Sequence, residues 1–208
     1  MSFSPLTNKL IESLRCLPGV GPKSAQRMAF ELVQKKRNEA LTLASTIEKA
    51  IELIGNCEYC RNLSEEKICC ICANPKRRAE TLCVVESPAD VVAIEQTTSY
   101  QGYYFVLMGH LSPLDGIGPE DIAIPKLVSR VQQLKTEELI LATNSTPEGE
   151  ATAFYISEQM QKIQVKCTRI AHGVPLGGEL EYLDSGTVSR ALAARTKLHT
   201  NANVHEES

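Results

Sequence analysis

No apolar run in these 208 residues approaches the roughly 20 needed to cross a bilayer. The N-terminal MSFSPLTNKL also lacks the basic-then-apolar pattern of a secretory signal. A soluble cytoplasmic chain is expected, with its eight cysteines reduced. No G-x-x-x-x-G-K-[ST] stretch occurs anywhere, so ATPase activity has no phosphate-binding loop to rest on. Strong charge of one sign is missing too, but the formal net of −3 hides an asymmetry. Residues 1–80 carry 13 Lys and Arg against 9 Asp and Glu, and the remainder carries 9 against 16. The basic front is the half suited to phosphate; the acidic back suits proteins or metal. So small a positive excess predicts DNA binding that is weak per copy and sensitive to salt. With 43% hydrophobic and 23% charged residues, the length suffices for one ordinary core and one or two small modules.

What the sequence does contain is organised around Cys57 to Cys72, C-E-Y-C-R-N-L-S-E-E-K-I-C-C-I-C. Tetrahedral Zn²⁺ takes four deprotonated soft ligands, and each C-x-x-C turn presents two thiolates to one ion. Cys57, Cys60, Cys69 and Cys72 therefore predict a closed, structural zinc site. Cys70 is a rival ligand, but Cys69 and Cys72 repeat the spacing of the first pair. The segment is expected to act as a joint between a nucleic-acid-facing front and an α/β back. Cys16, Cys83 and Cys167 lie in apolar stretches and read as buried small hydrophobes.

Ahead of the cysteines, Leu6, Leu10, Leu14 and Leu17 mark one face of a helix over residues 5–17 that Pro5 opens. Pro18-Gly19 stops it, and Gly21-Pro22 starts a second whose stripe is Ala25, Met28, Ala29, Leu32 and Val33. The tight turn lets the amides of Gly19, Val20 and Gly21, with the following helix N-terminus, face a phosphate. Lys23 and Arg27, four residues apart, project beside the turn. L-P-G-V-G-P-K-S-A resembles the helix-hairpin-helix motif of sequence-independent DNA-binding proteins. No catalytic aspartate of the glycosylase type follows it, so binding is expected and not base excision. Residues 39–54 form a third helix whose Leu41, Ala44, Ile47, Ile51 and Ile54 read as core. The basic run Lys35, Lys36 and Arg37 ahead of it reads as a solvated face.

Beyond a linker at 74–78, strands at 82–86, 103–108, 138–142 and 165–170 alternate with helices at 88–97, 125–134 and 149–162. That order predicts a mostly parallel sheet covered on both faces, with its site at the C-terminal strand ends. Glu86 lies at one such end, and Glu148-Gly149-Glu150 follows a later strand. His110 and Asp115, in the Gly/Pro-rich loop 102–119, are minor candidates for the same face. A single acid followed by an acid-x-acid pair resembles the Toprim domain, in which such carboxylates hold Mg²⁺ for phosphoryl transfer. Glu-Gly-Glu departs from the usual Asp-x-Asp and leaves Mg²⁺ binding open; the same acids also suit a helix N-terminus electrostatically. A terminal helix at 187–197 and a polar tail at 198–208 complete the expectation.

The order of hairpin, four cysteines and Toprim-like sheet, with S-P-L-D-G-I-G-P, T-P-E-G-E-A-T and R-I-A-H-G-V-P-L-G-G, resembles the bacterial RecR family over roughly residues 5–197. The resemblance implies an α/β protein with a hairpin domain at 1–56 and a zinc segment at 57–80. It further implies a Toprim-like domain at 81–174 and a C-terminal segment at 175–208. It implies a non-enzymatic, ring-forming homotetramer that DNA threads and that acts with RecO and RecF. Together these help RecA replace single-strand-binding protein on gapped DNA in the nucleoid. Lys23 and Arg27 match the family's DNA contacts and the four cysteines its zinc ligands. Glu86, Glu148 and Glu150 match its Toprim acids, which serve as partner-binding surface. The alternative is a Mg²⁺-dependent Toprim phosphotransferase or small nuclease.

Overall fold

The computed structural model describes residues 3–171 and 173–195. The chain divides into two compact units, one of Met1–Gly55 with Leu63–Lys67, the other of Asn56–Asn62 with the residues from Ile68 onward. His172, the last two residues of the expected terminal helix and the expected tail lie outside the described residues.

The first unit holds helices α1 (Pro5–Leu14), α2 (Pro22–Gln34) and α3 (Arg37–Leu53). The Ser4 hydroxyl caps α1 by accepting the Thr7 amide at 3.2 Å, with Pro5 at the first helical position. The helix ends at Leu14 and not at Leu17. The amides of Arg15, Cys16 and Leu17 each turn to a carbonyl three residues back, which tightens the chain out of the α form. Ala25 and Ala29 are fully buried, and their small side chains let α2 lie close to α1. Phe3 and Phe30 close the pair edge to face, with ring centroids 5.1 Å apart.

Two expectations fail here. The stripe on α3 is not core: Leu41 is 71% exposed and Ile51 78%, with Ala44, Ile47 and Ile54 exposed as well. The helix is amphipathic as read, but its apolar side faces outward from this unit. Cys16 is exposed as well, because it sits on the tight turn and not on the buried side of α1.

Around the cysteines lie two-residue strands β1 (Gly55–Asn56) and β2 (Leu63–Ser64) and the one-turn helix α4 (Cys70–Ala73). The chain then runs through β3 (Arg78–Val85), α5 (Pro88–Glu95), β4 (Gly102–Val106), α6 (Ile124–Leu134), β5 (Glu138–Ala142), α7 (Pro147–Lys162) and β6 (Lys166–Arg169). The four long strands form one parallel sheet in the order β4-β3-β5-β6. Alternate residues feed its two faces. Leu82, Val84, Phe105 and Leu139 pack with Leu127 and Val131 of α6 and with Ile156 and Met160 of α7. Cys83, Val85, Tyr104 and Val106 pack with Val91 of α5. Cys83 is thus buried as expected, whereas Cys167 is only half-buried.

β3 starts four residues earlier than the apolar pattern indicates and takes in the end of the expected linker. Arg77 explains this. Its guanidinium grips the Glu95 carboxylate with both terminal nitrogens and donates to the carbonyls of Tyr100 and Gly102, which pins the entry to the strand. The Tyr104 hydroxyl donates to the same carboxylate at 2.6 Å. After β6 the chain is mostly exposed. A 3₁₀ turn at Leu180–Tyr182 leads to α8 (Ser185–Ala193), where Asp184 caps the Thr187 amide at 2.9 Å.

Candidate nucleic-acid interface, metal centre and acidic loop

The α1–α2 turn is built as the motif requires. Gly19 sits at φ +78°, a left-handed backbone that glycine adopts without a Cβ penalty. Gly21 is the N-cap of α2, and Pro22 takes the first helical position. The Val20 amide donates to the Leu17 carbonyl at 3.1 Å, which fixes the turn, while the Val20 side chain is half-buried. Among the described residues the Gly19 and Gly21 amides have no acceptor, so two N–H groups remain for an anion beside the α2 N-terminus. Lys23 and Arg27 are both exposed and share a shallow surface depression with Phe30 and Gln34. Of the neighbouring basic run, Lys35 pairs with Glu31 at 3.0 Å, and Arg37 Nε donates to the Val33 carbonyl at the end of α2.

The four cysteines come together. The sulfurs of Cys57, Cys60, Cys69 and Cys72 all lie within 4.8 Å of one another, while Cys70 points away and is exposed. Cys57, Cys60 and Cys69 are buried. Two amides, from Asn62 to Cys60 Sγ and from Cys69 to Cys57 Sγ, stabilise thiolate charge as C-x-x-C turns do. Thiols this close cannot all ionise unaided. The Cys69 thiol is pulled down by hydrogen bonds from Cys60 and Cys72, and the Cys60 thiol is pushed up chiefly by its bond to Cys69. A divalent cation resolves that conflict by taking four thiolates at once. The segment is shared between the two units, Leu63–Lys67 belonging to the first and both cysteine knuckles to the second, and its first knuckle is sewn to the sheet. The Val106 amide donates to the Cys60 carbonyl at 2.8 Å, and Arg61 Nη1 donates to the carbonyls of Leu107 and Ile122 at 2.8 and 2.9 Å.

The acids separate into different environments. Glu86, one residue past β3, is only 6% exposed. It accepts the Asn144 amide and side-chain nitrogen at 2.8 and 2.7 Å, and His110 Nδ1 stands 3.3 Å away. Glu148 and Glu150 occupy the first turn of α7, whose N-cap Thr146 accepts the Gly149 amide at 3.1 Å. Glu150 is paired with Arg169 from the end of β6, and Arg190 of α8 approaches it at 3.8 Å. Asp115 accepts from the Ser112 hydroxyl at 2.6 Å in its own turn.

The middle residue of Glu-Gly-Glu, Gly149, has a steric reason of its own. A Cβ there would sit 2.2 Å from the Asn144 carbonyl oxygen and 2.9 Å from Glu86 Oε1. The residue between the acids is therefore glycine because the Asn144 carbonyl and the Glu86 carboxylate press against that backbone. Sequence reasoning missed Asn144, Arg169 and Arg190 as partners of the acids. Asn144, two residues past the strand end at Ala142, was the one legible hint, because asparagine in such a loop readily bonds to backbone and carboxylate.

Comparison with known proteins agrees with this architecture. The RecR helix-hairpin-helix family matches residues 7–51, the Toprim domain matches residues 80–171, and the RecR C-terminal family matches residues 173–196. A "Recombination protein RecR" from Coxiella burnetii (strain RSA 493 / Nine Mile phase I) is 57% identical over 200 residues, covering 96% of this chain and all of that relative. Identity at that level along nearly the whole chain, with RecR-specific segments on both sides of the Toprim sheet, means that the chain belongs to the RecR family of recombination proteins.

Proposed function

We propose that this protein is a non-enzymatic DNA-binding clamp and recombination mediator of the cytoplasm, working at the nucleoid. In this reading it acts with RecO and RecF to help load RecA onto gapped DNA coated with single-strand-binding protein. The observation that carries the DNA step is the hairpin, where exposed Lys23 and Arg27 flank two unengaged glycine amides at a helix N-terminus. Such contacts read phosphate and not bases, so no sequence preference is expected. One weakly basic copy binds feebly. Several hairpins facing one duplex in a homotetramer raise the effective concentration of each contact. The uncovered apolar side of α3 supports self-association of this kind.

Zn²⁺ fits the cysteine cluster by donor chemistry, since four sulfurs with no oxygen or nitrogen ligand favour a soft tetrahedral ion. Its role is structural. Glu86 is engaged by Asn144 and His110, and Glu150 by Arg169, so these carboxylates already answer to protein groups. Glu86 then shapes the acidic loop from beneath, while Glu148 and Glu150 present the surface to a basic partner.

The test is salt-dependent binding of gapped DNA by the zinc-loaded protein with Mg²⁺ present, followed for both mobility shift and strand length. Lys23→Glu with Arg27→Glu is expected to cut affinity by about tenfold or more and to flatten the salt dependence. Unchanged binding in that variant rejects the hairpin assignment. Mg²⁺-dependent strand shortening lost in Glu86→Gln rejects the non-enzymatic reading.

A further inference from the structure

Outside the hairpin, the second unit carries a cavity of about 290 Å³ between the first cysteine knuckle and the start of α6. Its lining includes Glu58, Tyr59, Arg61, Phe105, Lys126 and Arg130. Three cations against one acid is unusual in a half whose overall charge is negative. Among the described residues none of the three is in an ion pair.

Arg130 is the centre of the arrangement. Its guanidinium carbon lies 4.3 Å from the Tyr59 ring centroid and 5.7 Å from that of Tyr103. Its Nε is buried without a hydrogen-bond partner. Among the described residues no protein group accepts from its terminal nitrogens either, so a guanidinium held by two rings at the cavity wall is pre-organised to meet an acceptor from outside through those nitrogens. Lys126, four residues earlier on the same face of α6, is exposed beside it. Arg61 is locked by its two carbonyl bonds, with its guanidinium carbon 6.0 Å from the Phe105 centroid, so its charge is fixed in place. Tyr59 remains 40% exposed. Clustered cations beside a ring that Arg130 holds in place and that is still 40% exposed are the combination that holds an unpaired nucleotide, with phosphate on the cations and base on the exposed part of the ring.

We propose that this cavity binds an unpaired nucleotide of a DNA strand, with Arg130 and Lys126 receiving the phosphate and Tyr59 the base. The inference deepens the DNA-binding reading and rests on it, adding a single-strand contact on the Toprim unit to the hairpin's phosphate contact. A protein acting at gaps meets both kinds of DNA. The cavity is too small for a duplex, and it has the right scale for one nucleotide.

The experiment titrates full-length, zinc-loaded protein with fluorescein-labelled oligo(dT), with a duplex of equal length, and with labelled oligoglutamate, across salt. Lys126→Gln replaces an exposed side chain and preserves the fold. It is expected to weaken oligo(dT) binding several-fold and to lower the slope of log affinity against log salt by about 0.7. Tyr59→Leu is expected to weaken oligo(dT) by about tenfold with little change in that slope, because stacking releases no counterions. Duplex binding should respond to Lys23→Glu with Arg27→Glu and not to these changes. Unaltered oligo(dT) affinity and slope in both cavity variants overturns the proposal. So does a loss of oligoglutamate binding with oligo(dT) unaffected, which would make the cavity a docking point for acidic protein. If instead duplex binding survives the hairpin variant while oligo(dT) still depends on Tyr59 and Lys126, the hairpin reading falls and the cavity stands.

Discussion

Gly149→Ala isolates the geometry of the acidic loop, because two effects of opposite sign meet at one atom. Within a helix the change usually stabilises, by about 1 kcal/mol at an interior position and less in the first turn. Here the new Cβ would lie 2.2 Å from the Asn144 carbonyl oxygen, a backbone atom that cannot rotate away. Relief requires the 144–146 loop or the α7 N-terminus to move. Either motion disturbs the two hydrogen bonds from Asn144 to the Glu86 carboxylate and the Thr146 cap. Overpacking costs about 1–3 kcal/mol, and weakening a bond to a buried carboxylate adds about 1–2 more. The clash wins, and a net loss of about 2–4 kcal/mol is expected. All six tyrosines lie in the second unit and the chain has no tryptophan, so tyrosine fluorescence in urea reports this unit specifically. A falling midpoint with unchanged slope fits the reasoning. Equal or greater stability in Gly149→Ala would refute it, and would mean that the loop gives way freely.

Other expectations follow from the same contacts. Glu95→Gln removes the partner of Arg77, which is 12% exposed, and should cost the second unit about 2–4 kcal/mol in urea unfolding. Arg77 holds the Glu95 carboxyl below its usual range, so its contribution is full above the unfolded value near pH 4.3 and is lost as pH falls through the lower folded value; acid titration of stability in Glu95→Gln should accordingly be shallower than in the parent. Chelation or Cys60→Ser should cost about 4 kcal/mol or more by thermal or urea unfolding, although the Cys60 carbonyl bond to Val106 is retained in the serine variant. Leu41→Glu with Ile51→Glu should leave helix content intact by circular dichroism and lower the sedimentation mass. An unchanged mass would separate α3 from self-association.

Much of the architecture was legible because it rests on local signals. Short apolar runs mark β4 and β5 to within two residues, Pro5 and Pro22 each open a helix, and paired C-x-x-C spacing identifies four sulfurs that do converge. The start of β3 was not legible, because the residue that pins it, Arg77, acts through Glu95, eighteen positions away. The acids were found, but their environments were not. The sequence reads His110 onto the acidic face, and it does stand 3.3 Å from Glu86, but nothing near Glu86 in sequence announces Asn144, and nothing near Glu150 announces Arg169. Parallel strands join residues that lie far apart along the chain, so a carboxylate at one strand end meets partners from another. The Arg130 cavity has the same origin, since a cysteine knuckle and a helix some seventy residues later contribute opposite walls.

The exposed stripe on α3 bears on how the protein becomes a stable object at all. The first unit has only about sixty residues, a size at which a single core is marginal, and among its described residues the fully buried side chains are two alanines and no large aliphatic residue. Leu41, Ile47, Ile51 and Ile54 are the residues best able to add hydrophobic burial, at roughly 1.5–3 kcal/mol each when fully covered. A chain that kept them in water would hold its hairpin on a weakly stabilised base. Lys23 and Arg27 lie on α2, whose position depends on that base. In the proposed clamp, covering α3 would strengthen the hairpin without touching it, and assembly and DNA affinity would be coupled through folding as well as through the number of hairpins presented.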